Sequence, residues 1–309
     1  MSDTAFLEGL NDAVQSLEAS LDPGETGAGH PIVFIVGPPR SGTTLLSQVL
    51  VAGTNIGYID NLSARFWDAP ATGFALSQEV LGDARQTLFQ STFGRTDMPS
   101  DPHEFGRFWR EHLGYEDMRQ RPPEHERTID WASLRRTLRR LTTRADRPFM
   151  FKLMLGIWHL EAIAREVPEA IFVRVQRDSL DVAASLLEMR KRRHGDIAHW
   201  TSLVPMGAER IEDPFDQVAF QVRAIERTIA HGLRDTPPNR IVPIEYVHLC
   251  EDPDGALDRI QLAIPSSAPI RRLPLPREGF TASSARSRLS DDESKRLEEA
   301  FSRLGHEFS

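Results

Sequence analysis

Ile32-Val33-Phe34-Ile35-Val36-Gly37-Pro38-Pro39-Arg40-Ser41-Gly42-Thr43-Thr44-Leu45-Leu46 is the stretch from which the fold can be read. Five apolar, mostly β-branched residues run into a Gly/Pro turn and then into an apolar-periodic segment, the pattern of a buried strand, a tight loop and a helix N-terminus. Backbone N–H groups in such a loop converge on one point, and the helix behind it adds about half a unit of positive charge there. The stretch is a candidate cradle for an anion.

Gly37 and Gly42 are spaced as in the P-loop pattern, but Thr43 follows where the nucleotide-hydrolysing form has Lys. Without that lysine the loop lacks its reach to a β/γ-phosphate pair. Arg40 places a permanent cation inside the loop instead, so a terminal phosphate or sulfate group is the expected ligand rather than a Mg-bound triphosphate.

The surrounding chain narrows the setting. Its 309 residues, 40% hydrophobic and 27% charged, can bury one substantial core. A net charge of −8 argues against nucleic acid or an anionic membrane as the main partner, so any anion site is a local basic pocket. The single cysteine, Cys250, leaves no intramolecular disulfide or Cys-based metal cluster and is expected as a small buried residue. Asp3 and Glu8 stand where a secretory leader would be basic, and no apolar run nears the ~18 residues of a membrane span. A soluble, cytoplasmic protein is expected, and the Arg/Ala/Asp-rich composition suggests a bacterial source.

Phe6, Leu10, Val14, Leu17 and Leu21 recur at helical spacing, predicting an amphipathic helix over 4–20 that packs on the domain or a second subunit, then a linker to His30. Residues 56–59 are a candidate second strand. Residues 62–147 read as a mostly helical insertion. Within it lie an amphipathic stretch over 75–90, a Gly/Pro/Ser/Asp-rich segment over 91–102 and a helix start at 103–110. An exposed loop over 115–128 and a helix over 131–145 capped by Asp130 or Thr128 complete it. Further strands are expected over 148–154, 170–175 and 240–244, and helices over 180–193, 210–232, 252–263 and 290–304. Strands alternating with helices imply a parallel sheet covered on both faces, with ligands beyond the carboxyl ends of its strands. Arg40, Asp60, Lys152 and Arg177 follow four such ends.

Pro39-Arg40-Ser41-Gly42-Thr43-Thr44-Leu45 resembles the 5′-phosphosulfate loop of the sulfotransferases that use 3′-phosphoadenosine 5′-phosphosulfate (PAPS), in the Arg-bearing form of protein-tyrosine sulfotransferases and many bacterial members. Arg177-Asp178-Ser179-Leu180-Asp181-Val182-Ala183-Ala184-Ser185-Leu186 is similar to that family's 3′-phosphate motif, an Arg followed eight residues later by a Ser. Tyr246-Val247-His248-Leu249, with Asp252-Pro253 after it, resembles its Tyr-Glu-Asp-Leu segment. Arg277-Glu278-Gly279-Phe280-Thr281 is similar in part to its basic closing loop, although Glu278 stands where a cation would help.

The resemblance implies a P-loop-like three-layer α/β fold in one sulfotransferase domain over 1–309, with 1–30 as N-terminal helix and linker and 62–147 as the acceptor side. It implies a PAPS site formed by Pro39, Arg40, Ser41, Gly42, Thr43, Thr44, Arg177, Ser185, Tyr246 and Arg277. Arg177 and Ser185 would bracket the 3′-phosphate with charge-assisted bonds worth roughly 1.5–3 kcal/mol each; the alternative for Arg177 is a surface ion pair with Asp178 or Asp181. Sulfuryl transfer resembles phosphoryl transfer, an in-line displacement catalysed by positioning and charge. The sulfuryl group carries less charge than a phosphoryl group, so cationic side chains can serve without a metal. Arg40 and Lys152 are the candidates, Lys152 being otherwise a lysine that snorkels from a strand end. No His/Asp/Glu spacing suggests a metal site.

In the tyrosyl-protein type the base is a Glu about twenty residues beyond the loop Arg, and counting on from Arg40 reaches Asp60 and Asn61. Asp60 is therefore the direct candidate. His103 and Glu104 are its rivals, because a partly apolar pocket would raise a carboxylate pKa toward neutrality; helix capping is the alternative role for that pair. Phe66, Trp67, Phe74, Phe105, Phe108 and Trp109 belong to an acceptor pocket or to the core. His159 reads as core-facing, and His112, His125, His194 and His199 as solvated. Arg277, Arg286 and Arg288 would cover the 3′-phosphate as a flap within 265–288.

The expected activity is transfer of a sulfuryl group from PAPS to a hydroxyl or amine of a small-molecule, carbohydrate or tyrosyl acceptor. A P-loop kinase or nucleotidase is disfavoured by Thr43 and by the lack of an Asp ending the 171–175 strand. A non-catalytic nucleotide binder is the second alternative. The 4–20 and 210–232 helices are candidate surfaces for a homo-oligomer.

Overall fold

A computed structural model of the protein describes residues 3–20, 29–82 and 87–307. Strands β1 (Ile32–Val36), β2 (Gly57–Tyr58), β3 (Phe149–Lys152), β4 (Ala170–Gln176) and β5 (Ile241–Glu245) form one sheet in the order β2-β3-β1-β4-β5. Every pairing in it is parallel. All five lie where the apolar runs predict them.

The helices are α1 (Asp3–Ser20), α2 (Thr43–Gly53), α3 (Pro70–Leu81), α4 (Gly106–Leu113), α5 (Trp131–Ala145), α6 (Leu160–Glu166), α7 (Ser179–His194), α8 (Pro214–Gly232), α9 (Tyr246–Glu251), α10 (Pro253–Ala263) and α11 (Asp291–Glu307). Parallel neighbours need long crossovers, and these helices cover both faces of the sheet. Alternation along β1 sets the two layers. Ile32, Phe34 and Val36 pack with α4, α5, α6 and α8, while Val33 and Ile35 pack with α2, α9 and α10. Phe34 stacks between Phe151 of β3 and Phe172 of β4, at 5.9 and 5.8 Å between ring centroids. Each such buried ring contributes about 1.5–3 kcal/mol. A third apolar cluster joins α7, α8 and α11.

Aspartates set several helix starts. Asp130, Asp178, Asp213 and Asp252 each accept a first-turn backbone N–H, which fixes the N-termini of α5, α7, α8 and α10. For that reason α8 opens at Pro214 rather than at 210.

Two expectations shift. The N-terminal helix forms, but it does not dock through the predicted stripe: Phe6 and Leu17 are exposed, and Asn11 and Glu18 are buried. Asn11 bonds the Arg65 carbonyl and the Asp68 amide, and Glu18 accepts from the Ala71 and Thr72 amides at the start of α3. Unsatisfied backbone groups, not apolar area, select the docking face. The stretch expected to be amphipathic over 75–90 ends as helix at Leu81, where Gly82 turns with φ 61°; residues 87–105 then run as largely irregular chain. Most of the expected 21–30 linker lies outside the described residues, and no described helix is long and apolar enough to cross a membrane.

Candidate active site

A cavity of about 790 Å³ opens at the carboxyl ends of β1, β3, β4 and β5. The turn after β1 forms its floor. Gly42 has φ 107°, and a Cβ there would stand 2.5 Å from the Tyr246 ring, so glycine is required twice over. Arg40 also has a positive φ, 74°, a conformation that costs a non-glycine residue about 1–3 kcal/mol. No side chain caps α2 at Gly42. Its first-turn amides therefore stand ready for an anion, and Thr43 and Thr44 line the cavity.

Lys152 ends β3 beside Ile35 of β1, which brings it level with this loop. Its Nζ donates to Thr44 Oγ1 at 2.5 Å and meets Glu104 Oε1 at 2.6 Å. The Glu104 side chain is 41% exposed, opening into the cavity. Burial pushes its carboxyl upward, but the charge and hydrogen bond of Lys152 outweigh this and hold it below its ordinary 4.5. The direction is opposite to the rise expected from an apolar pocket.

Arg177, following β4, donates from Nη1 to the Arg40 carbonyl at 3.0 Å and from Nη2 to the Ser283 carbonyl at 2.5 Å. It lies over the Tyr246 ring, 4.2 Å from its centroid. Its buried Nε has no hydrogen-bond partner, a donor held beside the cavity with capacity for a ligand. The Asp181 contact, at 3.9 Å, is the looser of its interactions. Arg40 Nε donates to Ser185 Oγ at 3.0 Å; burial and then the nearby Arg177 charge lower its pKa. A guanidinium nevertheless stays charged at neutral pH.

Over the opposite wall runs a tight turn at 92–95, closed by Thr92–Arg95 backbone bonds of 2.8 and 3.1 Å, with Phe93 and Gly94 both at positive φ. A Cβ on Gly94 would lie 3.3 Å from Glu104 Oε1 and 3.4 Å from Lys152 Nζ, so the turn passes close over the Lys152–Glu104 pair. Arg277 packs between Phe89 and Phe280 at the cavity edge.

Other candidates go elsewhere. Asp60 is buried away from the cavity: one carboxylate oxygen accepts from the Ser63 amide and hydroxyl, the other from Ser77 Oγ. Those bonds hold the turn after β2 and leave it no reach to an acceptor. His103 accepts the Phe105 amide at Nδ1 and does not line the cavity. Ser41 turns its hydroxyl toward Gly37, under the loop, and Ser185 reaches the site only through Arg40. Arg286 pairs with Glu298 and Arg288 with Glu188, outside the cavity. The six aromatics from Phe66 to Trp109 are all core residues. His159 is buried against the Tyr115 hydroxyl; His125 bonds the Leu113 carbonyl and His112 packs edge-on against Phe108, so neither is simply solvated. Cys250 is buried and free.

Residues 31–264 match the model of the sulfotransferase family. The chain belongs to that family. Among solved structures, sulfotransferase STF9 from Mycobacterium avium is similar, with a TM-score of 0.53 at 16% identity over 96% of this chain and 72% of that one. Sulfotransferase STF1 from Mycobacterium tuberculosis H37Rv aligns with a TM-score of 0.52 at 17% identity over 95% and 78%. Both likenesses are of fold. A search of curated proteins finds no match. Family and fold make the chain a transferase of sulfuryl groups.

This sulfotransferase cavity also takes in residues that the sequence reading passed over. Arg193 lies two helical turns beyond Ser185 on α7, a signal that was present in the spacing. Arg95, Met118, Met154 and Ser202 come from loops without a readable motif, and Ser283 reaches in from the tail.

Proposed function

We propose that the donor is PAPS and that the acceptor is a hydroxyl compound. The carrying observation is the cavity's charge: among the described residues it is lined by six cations and one carboxylate, Glu104. PAPS, when bound, supplies a sulfuryl group whose leaving partner is adenosine 3′,5′-bisphosphate. The uncapped amides of α2 and Arg40 hold the 5′-side anion, and the Arg177 Nε–H takes a 3′-phosphate oxygen. Lys152 Nζ donates to the oxygen that leaves sulfur, offsetting the charge that develops there as the S–O bond breaks. Glu104 accepts the acceptor's O–H proton while the new S–O bond forms. Its pairing with Lys152 keeps it ionised and aimed at the same point. Ser185 and Tyr246 are positioning residues, for Arg40 and Arg177 respectively.

Labelled PAPS tests this against a non-catalytic nucleotide binder. The expected result is slow release of labelled sulfate without acceptor and faster transfer to a phenol. Both fall by about 10²–10³-fold in Arg40→Ala and Lys152→Ala. Binding of the bisphosphate with no release of label under any condition supports the binder instead.

A further inference from the structure

The cavity carries more positive charge than its donor needs. PAPS bears about four negative charges at neutral pH, two of them on the 3′-phosphate. Six lining cations against one carboxylate exceed that by about one. Arg40, Lys152, Arg177 and Arg277 surround the loop, the strand ends and Tyr246, whereas Arg193 of α7 and Arg95 of the 92–95 turn line the cavity with exposed side chains, the Arg193 charge acting on both Glu104 and Arg40.

The spacing on α7 fixes the distance. Ser185, Met189 and Arg193 share one helix face at steps of four residues. Ser185 holds Arg40, so Arg193 stands about 12 Å further along the helix. Its neighbour Arg192 pairs with Glu188, as does Arg288. The side chains of Arg193 and Arg95, by contrast, form no ion pair or hydrogen bond among the described residues. Part of the cavity lining is apolar. Met118, Met154 and Met189, three of the chain's seven methionines, line it. Unbranched thioethers give a surface that moulds to an irregular apolar body and specifies little hydrogen bonding. A sugar would leave its hydroxyls unpaired against them.

We infer that the acceptor is an apolar hydroxy compound carrying an oxyanion, its hydroxyl at Glu104, its body along the three methionines and its anionic group at Arg193 and Arg95. This rests on the donor reading above, so the two are tested in sequence. Calorimetry with adenosine 3′,5′-bisphosphate comes first; a wild-type protein that does not bind it overturns the donor reading, and this inference with it. The bisphosphate-saturated protein is then titrated with 4-(4-hydroxyphenyl)butanoate and with its methyl ester, which differ in the charge. The acid is expected to bind about tenfold or more tightly than the ester. Arg193→Gln should bring the two within about twofold while leaving bisphosphate affinity unchanged, and Arg95→Gln should narrow the gap in part. Three results overturn the inference with the donor reading intact. These are an ester that binds as tightly as the acid, no binding of either at millimolar concentration, or an Arg193→Gln variant that loses bisphosphate affinity as Arg177→Ala does.

Discussion

The two halves of the cavity are built differently. On the proposed donor side Arg40, Lys152 and Arg177 stand on the loop after β1, the end of β3 and the turn after β4, and each is tied to another group: Arg177 to Arg40, Arg40 to Ser185, Lys152 to Thr44. On the acceptor side Gly94, Arg95, Glu104, Met118 and Ser202 come from connecting chain, and Arg193 has no bonded partner among the described residues. The difference teaches where each specificity lies. A fixed donor needs a rigid anion cradle shared with the sheet, whereas the acceptor is selected by segments that can vary without disturbing the strands. Glu104 is the one group that belongs to both, through Lys152.

Breaking that junction should have the largest effect. Glu104→Gln is expected to lower turnover by about 10²–10⁴-fold with bisphosphate affinity little changed, since the lost function is proton removal. Steady-state kinetics beside calorimetry checks both halves at once. The pH profile sharpens the assignment. Because Lys152 depresses the Glu104 carboxyl below 4.5, the proposed base is ionised throughout the neutral range, and kcat/KM should fall only as pH drops below about 4.5. A histidine base such as His103 would place that acid limb at the histidine pKa, which burial lowers from its ordinary 6.5. The smallest effect on chemistry is expected at Asp60. Asp60→Ala should leave turnover per folded molecule unchanged while lowering unfolding stability by about 1–3 kcal/mol, because it strips the Ser63 and Ser77 bonds; chemical denaturation measures the loss. A large loss of turnover there would return Asp60 to the site.

The same contrast explains what could be read in the chain. The sheet was legible because β1, β3 and β4 are mostly buried and read as apolar runs, with Arg40 in the loop after β1, Lys152 ending β3 and Arg177 following β4. Asp130 announced its helix by the same local logic, as an N-cap. Asp60 misled because counting from Arg40 carries no information about direction, and a carboxylate after a strand can equally hold the turn. Glu104 was in view, yet its pKa direction depended on Lys152, 48 positions away and brought in by the β3–β1 register. The turn at 92–95 was hidden because Phe93 takes a left-handed conformation that phenylalanine does not signal. Phe6 and Leu17 predicted a docking stripe, but the buried amides at the start of α3 recruited Glu18 instead.

The cradle is proposed to bind a 3′,5′-bisphosphate end-group without needing a metal. Calorimetric titration of the wild-type protein with adenosine 3′,5′-bisphosphate, in chelator, against ATP with Mg²⁺ tests it most directly. The account predicts binding of the bisphosphate in chelator, weakened about tenfold or more in Arg177→Ala. Tight, Mg²⁺-dependent binding of ATP with none of the bisphosphate would contradict it.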